Sequence, residues 1–479
     1  MAQRDRYRLP LSTASGAAVE HYVRGVDLLL SGNLGAEEGL RQAVAADEGL
    51  AVAQATLAAL DLRAGRHEEA RSRLAAAEAG ARGATRRERQ HVAVLAETAL
   101  GSPARALALA EEHLDAFPSD AYILRQYTSL RLGGGCRGMK AAILDRVQRL
   151  APAYGDDWYY TGTLAFYLHE VDRLAESRRY AERSLAGNPR NGNAAHSLAH
   201  CFYESAEYAG GLDFLDGWLA AYDPDAPNAC HLQWHQALFE LARGRYRRAY
   251  AIYRESIRPS VLRRENGTMG PPLADAASLF WRCLLYGEAA DHDTAWREIA
   301  AFARAVAAAP PDAFNDAHCA MAFAAAGDEA ALAALIDRLQ TAAGRGDALA
   351  GEVVLPLVLG VAAFARGDHE ETVRRLAPLA GDLLGGELSR IPGSRAQRRV
   401  FEETLLRAFL LTGRHAAAEA MLRARLEHQH AGRDLFWLAD AAAARGLPDA
   451  AADYRAQGRA AWPLADPDAP ELRRAALDA

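Results

Sequence analysis

The sequence predicts an all-α fold, a right-handed α-solenoid of about twelve helix hairpins. Three observations carry that expectation. Apolar residues recur with a helical period nearly from end to end. Strand signals are scarce, with few alternating β-branched runs and no Asn-Gly turn flanked by such runs. Short breakers divide the helices at intervals of roughly 33 to 46 residues, the range of stacked helix hairpins.

The breakers fall near Gly32, Gly65, Gly101, Gly134, Glu170, Glu207, Gly244, Glu288, Gly327, Gly367, Gly413 and Gly446. Each follows an apolar helix and precedes an alanine-rich one. LAALDLRAGRHEEARSRLAAAEA and HQALFELARGRYRRAYAIYRESIRP show the pattern most clearly. Pro118, Pro152, Pro189 and Pro259 lie just beyond second helices, where proline stops a helix from continuing. This is tetratricopeptide-like: the first helix of each pair is expected to line a concave inner wall and the second an outer wall. The chain reads as one solenoid over 1–479. Residues 1–257 form the more regular repeats, 258–272 an interrupting loop, and 273–479 longer, irregular hairpins.

The 479 residues carry a formal net charge of −7. That balance argues against a phosphate backbone as main partner, so no nucleic-acid partner is expected. The arginine pairs Arg86–Arg87 and Arg263–Arg264 read as solvated faces. The five cysteines are scattered and odd in number, which fits a reduced, cytoplasmic setting. The first residues, MAQRDRYRLPLSTAS, have no apolar signal-peptide core. The longest apolar stretch, 353–365, contains Pro356 and Gly360 and falls short of a membrane span, so no membrane partner is expected.

The strongest functional signal is two histidine pairs, His196 with His200 and His231 with His235. Four residues turn a helix by about 400°, so the members of each pair lie within about 40° on one face. Glu204 lies one turn beyond His200. Asn315, Asp316 and His318 share a later inner helix, and His91 an earlier one. Axes of packed helices approach to about 8–10 Å, so side chains of neighbouring inner helices can meet.

At these residues the chain resembles the tetratricopeptide-repeat protein 38 family, from RLPLSTAS to about residue 412. The matching stretches are TRRERQHV, AAHSLAHCFYE, CHLQWHQALFELARGRYRRAYAIYRESIRPS, FNDAH and GSRAQRRVF. The family's motif histidines fall on His91, His196, His200, His231, His235 and His318. Asp275, Asn315, Asp316, Ser394, Gln397 and Arg398 match motif positions too. QYTSL (Gln126–Leu130) departs from the family's Ser-His-Asp run. The resemblance implies a fold and no established reaction.

Two functional classes survive. The favoured one is a small-molecule site in the inner groove working by general acid–base chemistry: hydrolysis, elimination or isomerisation of a polar substrate. His200 or His235 would be acid or base, and Glu204 or Asp316 would orient it. His91, His196, His231, Trp234, Asp275, Asn315, His318 and Arg398 would bind substrate, the arginine by clamping an anionic group. The alternative is a non-enzymatic scaffold for a protein or peptide. Each residue has a structural counter-reading: core histidines joined by hydrogen bonds, a helix cap at Asp312 or Asp316, packing for Trp234, and an ion pair of Arg398 with Asp275 or Glu402. No cofactor is specified. A divalent transition metal on His196, His200, His231 and His235 is the minor option. GxSxG, P-loop, dinucleotide GxGxxG and HExxH motifs are absent from the sequence.

Overall fold

In a computed structural model, the described residues are 3–133, 138–264, 272–288, 292–309, 311–384, 389–391 and 393–477. Helices dominate. The only ladder among those residues is a two-residue antiparallel pairing of Gln3–Arg4 with Pro10–Leu11. The helices pair in chain order into twelve hairpins, from Gly16–Ser31 with Ala36–Ala46 to Gly432–Ala444 with Pro448–Ala461. A further helix, Pro470–Leu477, follows. The chain is thus an all-α, tetratricopeptide-like solenoid. Of the expected 258–272 loop, Arg258–Arg263 is helical and 265–271 lie outside the described residues, as does the breaker Gly134.

Glycine explains why the turns fall where the sequence places them. Gly32, Gly65, Gly101, Gly244, Gly327, Gly367, Gly413 and Gly446 all have φ between 67° and 77°, the left-handed region that a Cβ disfavours. The turns near Glu170 and Glu207 lack glycine. Asp172 (φ 63°) and Ala206 (φ 57°) take the left-handed position there. Side-chain caps fix several helix starts: Thr85 with Glu88 and Ser394 with Gln397 form capping boxes, and Asp312 accepts from Asn315 N.

The superhelix coils tightly enough that distant hairpins meet. Asn193 Nδ2 donates to Leu30 O at 2.7 Å and Asn33 Nδ2 to Arg190 O at 2.8 Å, joining the first hairpin to the sixth. The helix Arg395–Leu411 packs on Gly192–Glu204 and on Pro272–Tyr286. There Trp281 Nε1 donates to Thr404 Oγ1 (2.9 Å) and Arg282 to Ala396 O (2.7 Å). Trp462 Nε1 donates to Ala242 O at 2.7 Å, and Arg433 pairs with Glu471 at 2.8 Å. The expectation that the histidine-bearing wall faces an open groove is therefore corrected. Later helices close over it, and His200 and His235 have no exposed surface. Among the described residues no helix is long and apolar enough to cross a membrane.

Candidate metal centre

The helix Gly192–Glu204, capped by Asn191, presents His196 and His200 on successive turns. The next inner helix, Ala229–Ala242, presents His231 and His235. All four rings converge. Ring centroids are 4.5 Å apart for His196–His200, 4.8 Å for His196–His231, 4.5 Å for His200–His235 and 5.0 Å for His231–His235. One nitrogen from each ring falls within 4.8 Å of the other three. His196 Nε2 is the hub, 2.9 Å from His200 Nε2 and 3.0 Å from His231 Nε2.

Proton accounting distinguishes this cluster from an ordinary hydrogen-bond network. His231 Nδ1 lies 2.8 Å from Asp275 Oδ1, so the network assigns the ring proton to Nδ1. The neutral ring then has a bare lone pair at Nε2. A hydrogen bond between His231 and His196 requires a proton on His196 Nε2. That one proton would also have to serve His200 Nε2. Even so shared, it leaves His196 Nδ1, His200 Nδ1 and both nitrogens of His235 buried without a hydrogen-bond partner among the described residues. Three bare Nε2 lone pairs directed at one cation would account for both close contacts. Tetrahedral zinc, with nitrogens at 2.0–2.1 Å, would set them about 3.3 Å apart, a few tenths of an ångström beyond the two close contacts and inside the 4.8 Å span of the four donors.

Burial lowers the proton affinity of His196, His200 and His235 far below the ordinary histidine range, and the neighbouring rings act in the same direction. That shift favours the neutral form of these three rings, which is the state a metal requires. A base held so low is a poor proton acceptor, which does not favour the acid–base role expected of His200 and His235.

Other expected residues disperse. Trp234 and Asp275 do belong to the centre: the indole stacks on His231 (5.0 Å, 18°) and the carboxylate accepts from it. Glu204 is buried one turn past His200. Burial raises its carboxyl, and Arg395 and Arg399 are the main opposing charges. Arg398 is buried, donates to the chain's own Gly393 O and lies in the field of Glu170. Asp316 does not orient His318: residues two apart on a helix diverge. Asp316 pairs with Arg338 at 2.5 Å, while His318 Nδ1 donates to Phe314 O at 2.7 Å. Asn315 and Asp316 line a separate cavity of about 680 Å³ that reaches Gly393 and Gln397. His91 is buried in the N-terminal half, 3.1 Å from Asp120. Arg87, expected on a solvated face, is 2% exposed and bonds the same Asp120 oxygen at 2.7 Å.

Sequence reasoning missed His169, Glu170 and Lys140. His169 stacks on His200 (4.3 Å, 20°), and its Nε2 lies 3.1 Å from Glu170 Oε1. Glu170 pairs with Lys140, the only lysine in the chain. Burial brings that amine down to about 8 against the pull of Glu170. The available signal is the apolar context of a lone lysine; in the sequence Glu170 marks only a turn.

No family model matches the chain. Among solved structures, human IFIT1 as a dimer with m7Gppp-AAAA is 13% identical, with TM-score 0.41, covering 95% of this chain and 97% of that one. The P58(IPK) TPR domain is 15% identical, with TM-score 0.21, covering 82% and 98%. Naa15/Naa10 bound to HypK-THB is 14% identical, with TM-score 0.25, covering 79% and 64%. The partner expectation is corrected here. The exclusion of nucleic acid rested on net charge alone, which averages away local potential, and it is withdrawn. None of these structures supports the preference for a small-molecule ligand.

Proposed function

We propose that the protein is a tetratricopeptide-repeat protein 38-like solenoid whose closed interior binds one divalent transition metal through His196, His200, His231 and His235. The observation that carries the reading is the convergence of three Nε2 atoms that two hydrogen bonds cannot satisfy together. An all-imidazole donor set selects Zn²⁺, Cu²⁺, Ni²⁺ or Co²⁺ over Mg²⁺ and Ca²⁺, which take oxygen ligands. The resemblance adds support, since four of the six family-motif histidines form this set.

Four ligands from two consecutive hairpins would tie those hairpins together, as closed structural sites do. Elemental analysis after loading with Zn²⁺ and desalting tests the reading. One equivalent of metal is expected, lost in His196→Ala. Less than about a tenth of an equivalent in the wild-type chain leaves the rings as packing and removes the proposal.

A further inference from the structure

The four ligands are not equivalent, and the asymmetry assigns a role to one carboxylate. His231 is held on three sides. Asp275 Oδ1 accepts its Nδ1 proton at 2.8 Å, Trp234 covers its face at 5.0 Å, and its Nε2 meets His196 at 3.0 Å. Trp234 Nε1 in turn donates to Ser278 Oγ at 3.2 Å, and Ser278 Oγ donates to Asp275 O at 3.3 Å. Indole, hydroxyl and carboxylate are thereby set by the two packed helices Ala229–Ala242 and Pro272–Tyr286. The other three rings lack such an anchor: among the described residues, Nδ1 of His196, of His200 and of His235 has no hydrogen-bond partner.

Resting on the metal reading above, we infer that Asp275 is the positioning residue of the centre. Its carboxylate fixes His231 as the Nε2 ligand and gives a buried dication its nearest bonded negative charge. A carboxylate behind a ligating imidazole sets the tautomer and orientation of the ring and raises its donor strength. Losing such a partner typically costs 10–100-fold in metal affinity. His231 is expected to be the ligand whose geometry the metal accepts as found, and the other three to adjust to it.

The test uses Co²⁺ as probe, read by visible absorption of the full-length protein and by competition with a chelator. Asp275→Asn keeps the shape and removes the charge. Asp275→Ser reads the same contact should the first variant fail to fold, with circular dichroism of the metal-free protein as control. The expected result is Co²⁺ affinity about 10–100-fold weaker with a shifted visible band, while the metal-free spectrum is unchanged. Wild-type affinity and an unshifted band in a folded variant overturn the role of Asp275 and leave the four-histidine centre standing. Failure of the wild-type chain to bind Co²⁺ overturns the centre itself.

Discussion

The protein buries two histidine constellations, and they are built in opposite ways. In the N-terminal half, His91 Nδ1 (3.1 Å), His113 Nε2 (3.0 Å) and Arg87 Nε (2.7 Å) all meet one oxygen of Asp120. Asp5 stands 3.3 Å from the far side of Arg87. Every contact there joins a donor to an acceptor, and guanidinium charge answers carboxylate charge. In the central cluster, nitrogen meets nitrogen, and one carboxylate stands behind a single ring. Buried histidine alone therefore says little. What separates packing from a ligand set is whether the protons available can satisfy the contacts observed.

Metal binding should break the symmetry between the two most completely. His196→Ala removes the hub nitrogen and should weaken Zn²⁺ binding more than about 100-fold, measured by titration calorimetry. His91→Ala should leave binding at the wild-type level. Loss of metal in His91→Ala would place the ion in the N-terminal cluster instead. Stability should show the reverse order. Asp120→Ala leaves Arg87 buried without its charge partner and should cost about 3–5 kcal/mol in urea unfolding. Metal affinity in the folded fraction should not change. A cost under about 1 kcal/mol would mean that Arg87 finds other compensation through Asp5.

The turns and the histidine quartet were legible for local reasons. A glycine with positive φ needs no distant partner, and i, i+4 spacing places two rings on one face wherever the helix goes. Even the turns without glycine were marked by the repeat interval. Closure of the superhelix was not legible. It depends on contacts such as Lys140 Nζ to Gly393 O, 3.2 Å apart across 253 residues, and on Arg395–Leu411 covering the wall that carries the rings. Arg398 matched a ligand clamp in sequence, and in the fold its guanidinium donates to Gly393 O. The Asp120 cluster was missed because its members sit at positions 5, 87, 91, 113 and 120, with no shared period.

Acid titration sharpens the same contrast with a smaller effect. Burial lowers the proton affinity of His91 despite Asp120. The unfolded chain takes up a proton near pH 6.5 that the folded ring refuses, so stability is level above about pH 7 and declines below it. Burial raises the Asp120 carboxyl, but Arg87 and His91 overcome this and hold it well below the ordinary carboxylate range. Its contribution is complete above that range and is lost as pH falls through and below it. Urea midpoints from pH 8 to pH 3 should thus fall gently at first and steeply below about pH 4. His91→Gln should flatten the upper limb by up to about 1.4 kcal/mol per pH unit. An unchanged upper limb would show that His91 is not buried in its neutral form.

The smallest expected effect is at Asp316, and it tests whether function spreads beyond the quartet. Asp316 reads in sequence like a partner for a catalytic histidine, but its carboxylate is committed to Arg338, whose side chain is 28% exposed. Burial lifts the Asp316 carboxyl above its ordinary value although the Arg338 guanidinium opposes the lift, so the ion pair does not offset the burial of the charge. Arg338 also has a second acceptor, Ala307 O at 2.9 Å, and stays partnered when the carboxylate is removed. Asp316→Asn should therefore cost under about 1 kcal/mol, and less still in 1 M salt, where screening shortens to about 3 Å. Zn²⁺ affinity should match wild type. A clear fall in that affinity would tie the cavity beside Asp316 to the buried rings and end the division between the proposed metal-binding centre and a purely structural remainder.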